Sequence, residues 1–315
     1  MSRWPYTWFA AAAQTVHLVV ITGVEAGPED GAAMGKLATA LIDVARKSDS
    51  PSGLSVTYLA DKAASGAPAM TARSTRDDVQ RTLTDLAGRA TPSDQVVVVL
   101  IGHGSFDGQH GSFNLPGPDL TMADWSAMLA KFSAVRTAVV NTASSSGAFL
   151  EPLRGPGRVI IAATRTGGER NETRFPLFFV EAFANNAADQ NRDNRVSMLE
   201  AFEYARTRVA QAYQQDGHIL TEHATLQEET GGLAASLFLT PDRTEVALSS
   251  SVAADPELRA LVEARRTLEG QVNALRIRKS SLDPAEYDRE LERLLTELAL
   301  KSREIEQRQT IKPQP

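Results

Sequence analysis

The stretch "VVVVLIGHGSFDG" (Val96–Gly108) starts as an unbroken apolar run and ends on His103, wedged between Gly102 and Gly104. A run of β-branched residues with no polar alternation describes a strand covered on both faces. The glycines let the backbone turn sharply just past the strand and let the Gly104 amide approach a ligand closely. Similar runs recur at "TVHLVVITGV" (15–24), "LSVTYLAD" (54–61), "RTAVVNTA" (136–143) and "GRVIIAAT" (157–164), and "LAASLFLT" (233–240) is expected to close the sheet. Amphipathic helical patterns separate them at 31–48, 74–90, 121–134, about 175–186 and 197–213. This alternation predicts an α/β fold, a mostly parallel sheet flanked by helices on both faces, with its ligand site at the carboxyl ends of the strands.

Composition narrows the function classes. The 315 residues are 42% hydrophobic, enough for one large domain or a domain with an appendage. The net charge is −6, with 33 basic and 39 acidic residues interspersed, which leaves no footprint for nucleic acid and turns attention to protein or peptide partners, or calcium. There is no cysteine, so disulfides, thiolate metal sites and a thiol nucleophile are excluded together. No apolar run approaches the roughly 20 residues that span a bilayer. The opening "MSRWPYTWFAAAAQ" has one basic residue, a short apolar run and small residues before Gln14, a pattern like the end of a secretory signal over residues 1–13. Read so, it places the protein in the periplasm or outside the cell; read as an ordinary N-terminus, in the cytoplasm.

Past residue 250 the texture changes to two charged amphipathic helices, 256–279 and 284–309, each opened by Asp-Pro (Asp255-Pro256 and Asp283-Pro284). Leu261, Leu268 and Leu275 repeat every seven residues, as do Leu291, Leu298 and Ile305, a coiled-coil-like seam interrupted by Arg265 and Lys301. The short joint predicts an antiparallel hairpin over 252–312, a packed appendage that could also recruit a protein partner.

If the strand ending at His103 and the one followed by "ASSSG" (143–147) are neighbours, an imidazole and Ser144 meet at one rim of the sheet, with the Gly104 amide nearby. A base beside a hydroxyl with amide donors is the arrangement of acyl transfer. The order strand, His-Gly, helix, strand, then small residues ending Ser-Gly resembles the caspase and legumain cysteine peptidases, the legumain-like branch of bacteria in particular. "GHGS" matches at His103 and Gly104, "ASSSG" at Ala143 to Gly147, and "EAFEYARTRVAQAYQQDGHILTEHATL" extends the likeness over most of residues 15–240. The resemblance implies a caspase-like domain over 14–245, with His103 as base and Ser144 in the slot of the cysteine nucleophile. A serine hydroxyl there needs a well-placed base oriented by a third group, whereas a thiol gives up its proton readily. The favoured reading is therefore a catalytically silent relative that binds peptide or protein along its cleft. The alternative is an active serine-dependent endopeptidase built on a His103–Ser144 dyad. Asp107 and Glu169 are the carboxylates considered for the orienting role, and Arg165, Arg170 and Glu172 could line the cleft.

A second motif is "DQNRDNRVSMLE" (189–200). Asp189, Asn191, Asp193, the Arg195 carbonyl, Ser197 and Glu200 fall at positions 1, 3, 5, 7, 9 and 12 of an EF-hand-type loop, with Asn194 at the turn position where glycine is usual. The expectation is one structural Ca2+ ion. Ser197 and Glu200 also spell a helix capping box. "HILTEH" (218–223) fits none of the helical zinc spacings and reads as a polar helix end, His17 as a packed strand residue, and His110 as an exposed loop residue.

Overall fold

A computed structural model describes residues 15–47, 53–63, 67–133, 135–184, 186–192, 194–229, 231–241 and 255–311. The signal-like segment 1–13, Asp193 of the proposed calcium loop and the junction 242–254 before the hairpin lie outside these residues.

Seven strands form the main sheet: β1 (Val16–Thr22), β2 (Leu54–Ala60), β3 (Ala72–Arg73), β4 (Gln95–Ile101), β8 (Arg136–Asn141), β9 (Arg158–Ala162) and β10 (Thr225–Glu228). Their order is β10-β9-β8-β4-β1-β2-β3, parallel throughout except for β10, which runs antiparallel to β9. β1 and β4 are fully buried along their length, as the unbroken apolar runs require. Side chains alternate between two cores. Leu18, Val20, Val97 and Val99 face α1 (Pro28–Lys47), α5 (Phe175–Ala184) and α6 (Met198–Gln215). Val19, Ile21, Val98 and Leu100 face α2 (Arg76–Arg89), α3 (Met122–Leu129) and the short α4 (Leu150–Leu153).

Local chemistry sets the helix starts. Thr75 caps α2 by accepting the Asp78 N–H, and Thr121 with Asp124 and Ser197 with Glu200 form reciprocal capping boxes on α3 and α6. α1 begins with Pro28 and carries Glu29 and Asp30 in its first turn, where the helix dipole favours negative charge.

Two segments depart from the sequence-based expectation. "LAASLFLT" is no strand of the sheet: 234–236 form a 3-10 turn, and Phe238 makes a lone bridge to Ser197. The segment runs beneath the start of β4, where the Gln95 side-chain amide donates to the Phe238 carbonyl. The closing strand is instead β10, with four half-buried residues. The segment after His103 is also no simple loop. β5 (Gly104–Phe106), β6 (Gly111–Phe113) and β7 (Leu120–Thr121) fold into a small antiparallel sheet of their own.

The C-terminal helices α7 (Pro256–Ile277) and α8 (Pro284–Ile311) pair antiparallel: Leu258 and Val262 at the start of α7 meet Ile305 near the end of α8, while Leu268 and Val272 meet Leu294. Asp255 caps α7 and also pairs with Arg308 at 3.0 Å, tying the open end of the hairpin. That hydrogen bond holds the Asp255 carboxyl down to about 2. The hairpin docks where Gly270 of α7 meets Gly232; a Cβ on Gly270 would fall 2.2 Å from the Gly232 carbonyl oxygen. Among the described residues, no helix is long and apolar enough to cross a membrane.

Candidate functional site

The chain turns one way from β1 to β2 and the other way to β4, so the crevice between the carboxyl ends of β1 and β4 is a switch point of the sheet. His103 stands just past β4. β8 lies parallel beside β4 in register Leu100↔Asn141, which brings Ser144 to the same rim. His103, Ser144 and the first turn of α1 line one cleft of about 420 Å3. Its apolar wall includes Met34, Leu37, Leu177 and Phe178, with Glu172 beside them.

The partner of His103 is Asp30, which the sequence reading did not single out. His103 Nε2 lies 3.1 Å from Asp30 Oδ1. A carboxylate oxygen accepts, so Nε2 donates in this contact, and in the Nε2–H tautomer the ring's lone pair is on Nδ1. Asp30 is itself fixed, because its Oδ2 accepts the Ala26 N–H at 2.8 Å. Both side chains are partly open, His103 at 34% and Asp30 at 24%, so a ligand can reach the pair.

The two carboxylates first considered for that role are engaged elsewhere. Asp107 closes its own turn, accepting the backbone N–H groups of Gln109 and His110 and lying 3.3 Å from the His110 ring. The His110 N–H above all lowers the Asp107 carboxyl to about 2. Glu169 Oε1 lies 2.9 Å from His223 Nδ1, and its Oε2 accepts the Arg165 and His223 N–H groups. Arg165 and Arg170 are exposed and are not among the residues lining the cleft.

Ser144 faces Gly104 in both directions. Its Oγ donates to the Gly104 carbonyl at 3.0 Å, and the Gly104 N–H points at Oγ from 3.4 Å, beyond a strong hydrogen bond. Among the described residues, Ser144 has no hydrogen bond to His103. The next residue, Ser145, is buried and left-handed (φ 58°), and its N–H donates to the Glu169 carbonyl at 2.8 Å. Ser146 and Gly147 are pinned to Thr164, and a Cβ on Gly147 would come 2.3 Å from the Thr166 nitrogen. The segment carrying Ser144 is therefore wedged against the loop after β9.

In the proposed calcium loop, Asp189 Oδ2 accepts the Asn194 N–H at 2.9 Å, and Asn194 is left-handed (φ 64°), as its place in the motif anticipates. Glu200 is fully buried. Its Oε2 takes the Ser197 N–H and hydroxyl, and its Oε1 accepts the Gln190 and Asn191 N–H groups. The Arg195 side chain leaves the loop to stack on Phe238 and reach the Thr240 carbonyl. Among the described residues, no three acidic or histidine side chains gather as a metal site.

"HILTEH" is more than a helix end. Glu222 is buried and accepts the Arg174 and Phe175 N–H groups at the start of α5. Burial pushes its carboxyl above the ordinary range against the pull of those two donors. His17 is buried as expected, 3.7 Å from Asp94, and His110 is exposed.

Fold and site together define an α/β protein with an Asp–His pair across its switch point and a serine on the neighbouring strand end. No family model and no curated protein matches the chain, so its function is argued from these residues.

Proposed function

We propose that the protein is a caspase/legumain-like relative whose strand-end cleft binds an extended peptide segment of a partner without cleaving it. One observation carries the reading: the Ser144 hydroxyl gives its hydrogen to the Gly104 carbonyl, so no base holds the proton that a nucleophile must lose. The apolar wall supports peptide binding, since Leu177 is 54% exposed within the cleft, an apolar side chain kept in the open beside Glu172.

The second reading, an active serine-dependent hydrolase, is favoured by Asp30. It supplies the third group a serine site needs, orienting His103 through Nε2 and leaving Nδ1 as a base. For catalysis Ser144 would have to rotate away from Gly104 and pass its proton to His103 as its oxygen attacks a carbonyl carbon. A fluorophosphonate with mass readout separates the two. The binding reading expects no adduct on Ser144, together with saturable anisotropy for an apolar peptide that Leu177→Asp abolishes. A His103-dependent adduct on Ser144 would replace it with the hydrolase.

The 189–200 loop is proposed to hold one structural Ca2+. What supports this is the left-handed Asn194 closed onto Asp189, with Glu200 directed back at the loop start. Binding would exchange the hydrogen bonds now made to Glu200 for metal bonds, joining the two helices through one ion.

A further inference from the structure

Helix α8 is 28 residues long, and one of its faces closes the hairpin, with Leu294 and Ile305 buried in the seam against α7. A second stripe on the same helix stays open. Ala299 is exposed, Leu295 is 41% and Leu300 56% exposed, and these two leucines are half of the four large apolar side chains left in the open among the described residues. The stripe runs along an open groove to which α8 alone contributes, from Asp288 to Arg303. Its lining positions are symmetric about the bond between Leu295 and Thr296: 288 matches 303, 291 matches 300, 292 matches 299, and 295 matches 296. Two antiparallel helices related by a two-fold axis bring such matched positions to the same level.

Charge follows the same symmetry. An antiparallel copy of α8 centred on that bond sets Asp288 of each chain opposite the partner's Arg303, and Glu292 opposite the partner's Ala299, while Leu295 stands beside the axis. Parallel pairing would instead set Asp288 against Asp288 and Arg303 against Arg303, which repel. The charges are available for this use. Among the described residues, the side chains of Asp288, Glu292 and Arg303 form no ion pair, whereas Arg293 and Lys301 of the same helix are paired with Glu290, Glu297 and Glu304. The small residues Thr296 and Ala299 at the middle of the stripe let a second helix approach closely. Complementarity of a surface to itself about a two-fold axis is what an isologous contact requires, and a partner of unrelated sequence would not need it.

We infer that the open face of α8 binds a second copy of this chain, α8 against α8 and antiparallel, in a two-fold dimer. The inference is independent of the reading of the strand-end cleft. One helix face per chain is a small interface, so micromolar association is expected. Sedimentation velocity of the full chain from roughly 1 to 100 µM in about 0.15 M salt, which spans such affinities and screens distant charges, tests it. The expected result is a concentration-dependent passage from monomer to dimer. Ala299→Glu keeps a good helix former but faces the partner's Glu292, and should weaken the dimer roughly tenfold or more. Asp288→Arg and Arg303→Glu should each weaken it roughly tenfold, and the two substitutions together should restore the parental affinity, because both pairs across the axis then reverse sign in register. All three positions are exposed, so each variant should keep the parental circular dichroism spectrum. A monomer at every concentration, a dimer indifferent to Ala299→Glu, or a double variant as weak as its single components would each overturn the inference.

Discussion

Replacing Gly104 by alanine tests how tightly the His103 and Ser144 segments are pressed together. A Cβ at this position falls 2.4 Å from the Ser144 carbonyl oxygen, 3.2 Å from the Ser112 oxygen and 3.3 Å from the Ala143 Cβ. Carbon and oxygen settle at about 3.3 Å or more, so the two backbones must part by about 0.9 Å. Neither yields easily: Gly104 is paired to Phe113 in the small sheet, and the Ser144 segment is held through Ser145 to Glu169 and through Gly147 to Thr164. Forcing such an overlap costs about 1–3 kcal/mol. The alanine recovers about 0.5–1 kcal/mol by restricting the unfolded chain. The net loss of about 1 kcal/mol in a domain of this size lowers the melting midpoint by roughly 2–4 °C. Differential scanning calorimetry reads it directly. Gly88→Ala is the matched control, because Gly88 lies inside α2 and its Cβ would meet nothing within 4 Å; that variant should melt higher by roughly 1–4 °C. A Gly104→Ala midpoint within about 1 °C of the parent would refute the close packing of the two segments, and with it the geometry on which the cleft is built.

Calcium at about ten times its Kd should stabilise the fold by ~1.4 kcal/mol, a rise of roughly 3–6 °C over the chelated protein. Identical midpoints with millimolar calcium and with chelator would remove the ion from the account of the 189–200 loop. A pH dependence follows from the hairpin's tie: the folded Asp255 carboxyl is held at about 2 by Arg308, below the roughly 3.9 of an unfolded aspartate. A depressed carboxyl stabilises the folded form above the unfolded pKa, and that contribution fades as pH falls from about 4 through about 2. Hydrogen exchange at the Glu257 and Leu258 amides, which Asp255 caps, should therefore accelerate across this window beyond its intrinsic trend. Asp255→Asn should flatten the dependence; an unchanged profile in that variant would show that the tie does not act through this carboxyl.

What the sequence conveyed and what it hid divide along the range of the interactions. Strands β1, β4 and β8 announce themselves because, Arg136 apart, their side chains are buried, and Thr75, Ser197 with Glu200, and Asp255 mark helix starts because a cap acts within three residues. "LAASLFLT" misleads because its apolar residues are buried, Ala234, Ala235 and Leu237 fully so, or half-buried, as Leu233 and Phe238 are, while its backbone follows a turn; an apolar run reports burial and not conformation. The strands of the small sheet are two or three residues long, too short for an alternation to register.

The identity of the His103 partner shows why the site was only half legible. Looking outward from His103 along the chain reaches Asp107 first, but a carboxylate so near is drawn into its own turn, with two backbone N–H groups to accept. Sheet order changes the search. β1 lies beside β4, so the residues that follow β1 stand next to those that follow β4, although Asp30 and His103 are 73 positions apart. Taken alone, Asp30 looks like an ordinary acid at a helix start, and it serves there too, through the Ala26 N–H. Its second oxygen is free for the imidazole because the Pro28 start of α1 sets that first turn against the strand-end rim. A partner supplied by topology leaves no local pattern, and the productive question for a strand-end histidine is which acids follow the neighbouring strand.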